Sequence, residues 1–211
     1  MAKNAHLYVL DTLADWEPGY LLAELNSGRY FAEPGTSLPV RTVGATAAPV
    51  RTKGGLRLTP DLTVAELDPA DSAVLVLPGA DTWLEPEHEP ILAKAREFLA
   101  AGVPVAAICG ATIALGQAGV LDDRPHTSND PGALAQFAPR YRGAAHYVAE
   151  PAVVGGDLIT ATGTAPVEFT RAVLDRLGVL RPSTLRAWHR LQTERSTESF
   201  VALMDSLPTP A

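Results

Sequence analysis

The sequence predicts an α/β fold in which a doubly wound, mostly parallel sheet carries helices on both faces, with a small β-hairpin insertion and a C-terminal helical extension. Three observations carry this. Short apolar runs alternate with helical stretches along most of the chain. The run Ala73-Val74-Leu75-Val76-Leu77 has the unbroken hydrophobicity of a strand buried on both faces. A chain of 211 residues with 46% hydrophobic content is long enough for one large domain with a full core.

The first strand is expected over 6–11, followed by a helix over 15–26 whose Leu21, Leu22 and Leu25 share one side and which Ser27-Gly28 ends. A second strand reads over 38–43. Gly54-Gly55, set between two β-prone pieces over 50–59, reads as a hairpin outside the main alternation. The 73–77 run belongs at the sheet centre and stops at Pro78-Gly79-Ala80-Asp81, a loop of little side-chain bulk. A helix over 89–100 ends at Gly102 and leads into a strand that closes at Ile108-Cys109, after which Gly110 and Ala111 open another helix. A polar surface run over 119–130 and a short helix over 132–137 come next. Closing strands are expected at 147–150, 153–154 and 158–162, with Gly155-Gly156-Asp157 as a turn. A helix over 166–177 should be opened by Thr164, with Pro166 just inside, and stopped by Gly178. The tail over 183–207 is helical in composition and carries Leu185, Trp188, Leu191, Phe200, Leu203 and Met204, which suit it to cover a sheet edge or a subunit contact. With no repeat and no low-complexity linker, 1–180 is expected to form one domain and 181–211 its helical extension.

Composition narrows the function classes. One cysteine permits no disulfide framework, and the start lacks a signal-like pattern, so the cytoplasm is the expected compartment. No apolar stretch approaches the roughly 20 residues of a membrane span. A formal charge of −7 without a Lys/Arg cluster argues against nucleic acid and leaves a small-molecule substrate or a protein as partner. The histidines His6, His88, His126, His146 and His189 are scattered without metal-ligand spacing, so no metal and no cofactor is expected. His88 beside Glu85, Glu87 and Glu89 reads as a solvated acidic turn rather than a cation site.

Cys109 is the candidate for chemistry. A buried strand running into small residues and a helix is the pattern of a nucleophile elbow, which lifts the side chain above the sheet edge. Free N–H groups and the helix dipole at 110–112 would then lower the thiol pKa, and the same groups could hold an oxyanion. The alternative is a small buried hydrophobe. Ligands in open α/β sheets bind beyond the carboxyl ends of the strands. At that edge Glu17 could point at the sulfur and act as a proton reservoir, or simply decorate the first helical turn. His126, in the polar run after the elbow helix, reads equally as an acid/base or as an exposed loop residue. Asp81, Trp83, Thr112 and Thr162-Gly163-Thr164 could line a pocket, although each has an ordinary loop or capping role. His146 and His189 show no such context.

Taken together, Ala106-Ala107-Ile108-Cys109-Gly110-Ala111-Thr112, Val76-Leu77-Pro78-Gly79-Ala80-Asp81 and Glu17 after strand one resemble the DJ-1/PfpI superfamily, also called class I glutamine amidotransferase-like proteins. The resemblance spans about 7–177. It implies a flavodoxin-like fold, a homodimer, Cys109 at the elbow with Glu17 beside it, and a candidate oxyanion site at Gly79, Ala80, Gly110 and Ala111. His126 stands where the glyoxalase or deglycase-type branch has a contributing histidine, and 124–129 is similar to bacterial members known only as amidotransferase-like. Three departures matter. Gly110 occupies the position where the protease-like branch has a histidine. The amidotransferase His-Pro-Glu is replaced by a segment over 162–168 without histidine. Glu17 and Gly110 do not match the aspartate and threonine of isocyanide-hydrating relatives.

Two functions follow as expectations. One is a cysteine-dependent enzyme acting on a small electrophilic carbonyl, by glyoxalase/deglycase- or amidase-like chemistry, with Glu17 and His126 moving protons. The other is a redox or stress-response protein whose Cys109 is oxidised to a sulfinate without turnover.

Overall fold

A computed structural model describes residues 3–208. Its centre is a seven-stranded sheet built from β1 (Asn4–Tyr8), β2 (Val40–Gly44), β5 (Leu62–Thr63), β6 (Ser72–Leu77), β7 (Val105–Ile108), β8 (Ala152–Gly155) and β9 (Leu158–Ala161). The order across the sheet is β5-β2-β1-β6-β7-β9-β8, and every neighbouring pair is parallel except the β8–β9 hairpin. A separate antiparallel ribbon pairs β3 (Val50–Arg51) with β4 (Arg57–Leu58), as the Gly54-Gly55 turn predicts. This is the α/β, flavodoxin-like fold. β6 lies in mid-sheet with Val74, Leu75, Val76 and Leu77 fully buried, which is why its sequence shows no polar alternation.

The helices are α1 (Gly19–Ser27), α2 (Glu89–Ala100), α3 (Gly110–Gln117), α4 (Pro131–Phe137), α5 (Pro166–Leu177), α6 (Pro182–Glu194) and α7 (Thr197–Asp205). Left-handed Gly28 and Gly178 end α1 and α5, as expected.

Several expectations need correction. The first helix begins at Gly19, not 15, because Asp15 is drawn to the hairpin, where it accepts from the Gly54 N–H at 2.6 Å, and Pro18 sets the helix start. The 147–150 strand does not form. Tyr147 makes a single bridge to His126, and Pro151 lacks the N–H a ladder needs. The two-residue β5 was not anticipated. It is too short for a period to show. Ala165, rather than Thr164, caps α5, while the Thr164 hydroxyl sits 3.2 Å from that of Thr162. The tail covers helices instead of a sheet edge. α6 packs on α5, and the fully buried Trp188 donates to Glu24 of α1 at 3.0 Å.

Candidate active site

Cys109 follows the last residue of β7 with φ 59° and ψ −124°. A non-glycine residue in that region costs on the order of 1–3 kcal/mol, and it persists here because the strand and the helix on either side are both fixed by packing. Val105 to Ile108 are fully buried, and the Cys109 N–H donates to the Ala161 carbonyl of β9 at 3.0 Å. The side chain is thereby turned away from the sheet and over its carboxyl edge, with the sulfur half-buried.

Glu17 meets it there. The residue lies before Pro18 and is fully buried, so the alternative of a decorative first-turn acid is ruled out by its position. Its Oε2 accepts from the Gly79 N–H at 2.5 Å. Its Oε1 is buried without a hydrogen-bond partner and faces the Cys109 thiol. Burial pushes the Glu17 carboxyl up to about 7, against the opposing pull of the Gly79 N–H and the thiol. Glu17 is thus a carboxylic acid over part of the physiological range.

The thiol itself departs from expectation. Burial pushes it up, and so does the charge of Glu17, whereas the Asn129 amide and the Gly110 N–H pull it down. Helix-terminal N–H groups are present, but desolvation and a neighbouring carboxylate outweigh them. Because two anions side by side are disfavoured, the pair holds its last proton jointly.

Three glycines make room for this pair. A Cβ at Gly79 would stand 2.6 Å from Glu17 Oε2 and 2.7 Å from Cys109 Cβ. At Gly163 it would stand 2.8 Å from Cys109 Sγ and 3.1 Å from Glu17 Oε1. At Gly110 it would meet the Ala80 carbonyl oxygen at 2.7 Å. The loops after β6 and β9 therefore touch the pair with backbone alone.

The predicted oxyanion group divides accordingly. The Gly79 N–H is committed to Glu17, which removes it as an oxyanion donor. Ala80 runs against Gly110, Ala111 is fully buried, and Gly110, at the start of α3, presents its N–H to the sulfur. His126 is not brought to the pair. Its Nδ1 lies 2.8 Å from the Arg124 carbonyl oxygen and its Nε2 2.7 Å from the Tyr141 hydroxyl, and it is fully buried rather than exposed. Burial pushes its pKa down, so it is a neutral structural ring between Tyr141 and Tyr147.

The residue that sequence reasoning passed over is Asn129. Its Nδ2 donates to Cys109 Sγ at 3.2 Å and its Oδ1 accepts from the Gly163 N–H at 2.8 Å, so one amide ties the sulfur to the β9 loop. Only its place at the end of the 124–129 segment hinted at it. Trp16 closes the other side, donating from Nε1 to the Gly163 carbonyl at 3.1 Å. Together with Thr162, Thr164 and Pro166 these residues frame an open cleft of about 530 Å³ over the thiol. The remaining pocket candidates lie elsewhere. Asp81 pairs with Lys53 at 2.8 Å, Thr112 is buried against Ser128, and Trp83 is buried with its Nε1 on the Pro78 carbonyl. His88 is not solvated. It is buried between Tyr8, at 2.7 Å, and Thr82, at 3.2 Å. Among the described residues no three His, Cys, Asp or Glu side chains gather as a metal site, and no helix is long and apolar enough to cross a membrane.

The chain is similar to known proteins over nearly its whole length. The chain is 44% identical over 205 residues to "Uncharacterized protease YoaZ" of Bacillus subtilis (strain 168), covering 97% of this chain and 98% of that one. It is 31% identical over 184 residues to "Uncharacterized protease YdeA" of the same organism, covering 87% of each. Among solved structures, a thiJ/pfpI family protein from Bacillus anthracis superposes with a TM-score of 0.94 at 45% identity, with 98% of both chains covered. A DJ-1 superfamily protein from Agrobacterium tumefaciens superposes with a TM-score of 0.79 at 33% identity, covering 92% of this chain and 100% of that one. The DJ-1/PfpI family model matches residues 3–176, and with relatives this similar over nearly their whole length the chain belongs to the DJ-1/PfpI family.

Proposed function

We propose that the protein is a cysteine-dependent enzyme in which the Cys109 thiolate attacks a small electrophilic carbonyl, such as a 2-oxoaldehyde. The observation that carries this reading is the buried Glu17 carboxyl, pushed up to about 7 and facing a sulfur held in a strained elbow at the floor of an open cleft. A carboxylic acid that is half-protonated near neutral pH can both receive the thiol proton and return it.

The thiol proton passes to the Glu17 carboxylate, the sulfur–carbon bond forms, and the carbonyl π pair moves to oxygen. Glu17 returns the proton to that oxygen, giving a hemithioacetal. Transfer of the proton on the former aldehyde carbon to the adjacent carbonyl oxygen gives an enediol. The remaining hydroxyl proton on the sulfur-bearing carbon then moves to the neighbouring carbon to give a 2-hydroxy thioester, and water hydrolyses it to a 2-hydroxy acid and the free thiol. The Gly110 N–H and the Asn129 amide, both donors beside the sulfur, would be available to the developing oxyanion, and Glu17 alone would supply the proton transfer for which His126 had been a second candidate. The relatives' protease names fit a hydrolase-like family. A Cys–His peptidase dyad is not supported within this chain, since Gly110 follows the cysteine and both His126 nitrogens are engaged elsewhere. A cytoplasmic homodimer of one domain with its helical extension, requiring no cofactor, completes this reading.

Cys109→Ser should abolish 2-oxoaldehyde consumption, measured by loss of the dicarbonyl, and equal turnover in the variant would end the proposal. A second reading is supported by the Asn129 amide, a fixed donor at the sulfur. It and protonated Glu17 would stabilise a sulfinate formed by peroxide, the sulfur being oxidised and peroxide reduced to water. That reading requires stoichiometric gain of two oxygen atoms at Cys109 by mass spectrometry, without turnover.

A further inference from the structure

Beside the Cys109 cleft lies a second hollow of about 480 Å³, and the two share Asn129, Thr162 and Thr164 along their common wall. Its lining is polar and of one charge sign. Glu150 and Glu168 are its carboxylates, no lysine or arginine lines it, and Thr127, Tyr147, Thr162 and Thr164 add hydroxyl-bearing side chains. Tyr147 donates to the Ser128 carbonyl at 3.2 Å, which fixes one wall.

Thr127 marks this hollow independently of the acids. It is 1% exposed, its N–H donates to Thr160 at 2.8 Å, and its Oγ1 is buried with no hydrogen-bond partner. A buried hydroxyl left unpaired costs about 1–3 kcal/mol. Thr127 lines the hollow, and a rotation of its side chain would bring this donor and acceptor to a ligand group there. Glu168 has His189 as its nearest ionisable neighbour, at 3.8 Å, and a side chain 34% exposed, so its carboxylate remains available to the hollow.

We propose that this hollow is a specificity subsite for the cationic end of the substrate. Resting on the carbonyl-enzyme reading above, the inference names the substrate class as carbonyl compounds that carry a primary ammonium group, with the carbonyl over Cys109 and the ammonium between Glu150, Glu168 and the Thr127 hydroxyl. Asn129, shared by both spaces, positions the sulfur at their junction.

The test uses the intact protein and thiol reagents that need no turnover. Methanethiosulfonates bearing a neutral methyl, a cationic aminoethyl or an anionic sulfonatoethyl group transfer their alkylthio group to Cys109 and release methanesulfinate. After correction for each reagent's rate with a free thiol, the cationic reagent should outpace the neutral one and the anionic one should lag. In Glu150→Gln/Glu168→Gln the cationic-to-neutral ratio should fall about threefold to tenfold, the effect of one or two partly screened charge pairs, and 0.5 M salt should reduce the ratio in the wild type in the same sense. Both side chains reach solvent, so folding is not at stake. Thr127→Val should lower the ratio as well. Equal ratios in wild type and the double variant would overturn the subsite while leaving a reactive thiol in place. A thiol inert to all three reagents would overturn the carbonyl-enzyme reading itself.

Discussion

At pH 8 an ionised Glu17 and a Cys109 thiolate would place two negative charges at the floor of one cleft, and the titration of each therefore depends on the other. The rate of Cys109 alkylation against pH should show two inflections in the wild type, the lower near the Glu17 value of about 7. In Glu17→Gln the repulsion is gone, and a single inflection should appear below the upper one of the wild type. Stability carries the same signature. The folded carboxyl titrates near 7 instead of 4.5, so the folded protein keeps a proton that the unfolded chain has released. That contribution lowers stability as pH rises from about 4.5 through 7, by up to about 3 kcal/mol. The advantage of Glu17→Gln over wild type in urea unfolding should accordingly grow between pH 5 and pH 8, and a constant difference would refute the raised carboxyl. Cys109 and Glu17 were legible as candidates from the elbow pattern and the strand-one position. The direction of the thiol shift was not, because it depends on how much water the sulfur keeps.

Among the elements, the strand ends are held together by backbone contacts that forbid side chains. The β9 loop approaches so closely that a methyl at Gly163 would fall 2.8 Å from Cys109 Sγ and 2.9 Å from its Cβ. Gly163→Ala must displace the sulfur or the loop, with loss of the Asn129 bridge, and should cost about 1–3 kcal/mol and slow alkylation at least tenfold. The readout is the alkylation rate at a pH where both proteins are folded by circular dichroism. The glycines in this loop and in Pro78-Gly79-Ala80 could be read from the sequence as turns. That they abut one thiol–carboxyl pair could not, since β1, β6, β7 and β9 become neighbours only through the sheet order.

For the molecule as a whole, the C-terminal helices dock on the sheet's helix layer, α6 against α5 with Leu185 joining the main core. Trp188 is fully buried, donates to Glu24, and packs edge-on to Tyr20 with centroids 6.4 Å apart. Trp188→Ala removes that packing and leaves Glu24 with Arg29 alone, and it should destabilise the whole domain by about 3–5 kcal/mol in a single cooperative transition. An early separate transition would mean that the extension folds apart. Acid should act globally too. His6, His88 and His126 are buried with pKa values pushed down by desolvation, so the unfolded chain takes up protons below about 6.5 that the folded one refuses. In Glu17→Gln, where the opposing carboxyl effect is absent, the melting temperature should fall steadily from pH 6.5 to 5.

The sequence by itself determined the strand and helix alternation, the centrality of the 73–77 run, the hairpin, the glycine stops and the candidacy of Cys109 with Glu17, because these follow from local patterns of burial and backbone freedom. It also carried the family resemblance through the joint presence of the elbow, the Pro78-Gly79 turn and Glu17. Only the tertiary structure decided that His126 turns into the core, that Asn129 reaches the sulfur, that Gly79 spends its N–H on Glu17, and that the tail docks on α1 and α5. Each of those is a question of which distant atoms share a space. Hydrogen bonds across 15 to 164 residues of chain are set by sheet order and packing, which no local pattern encodes.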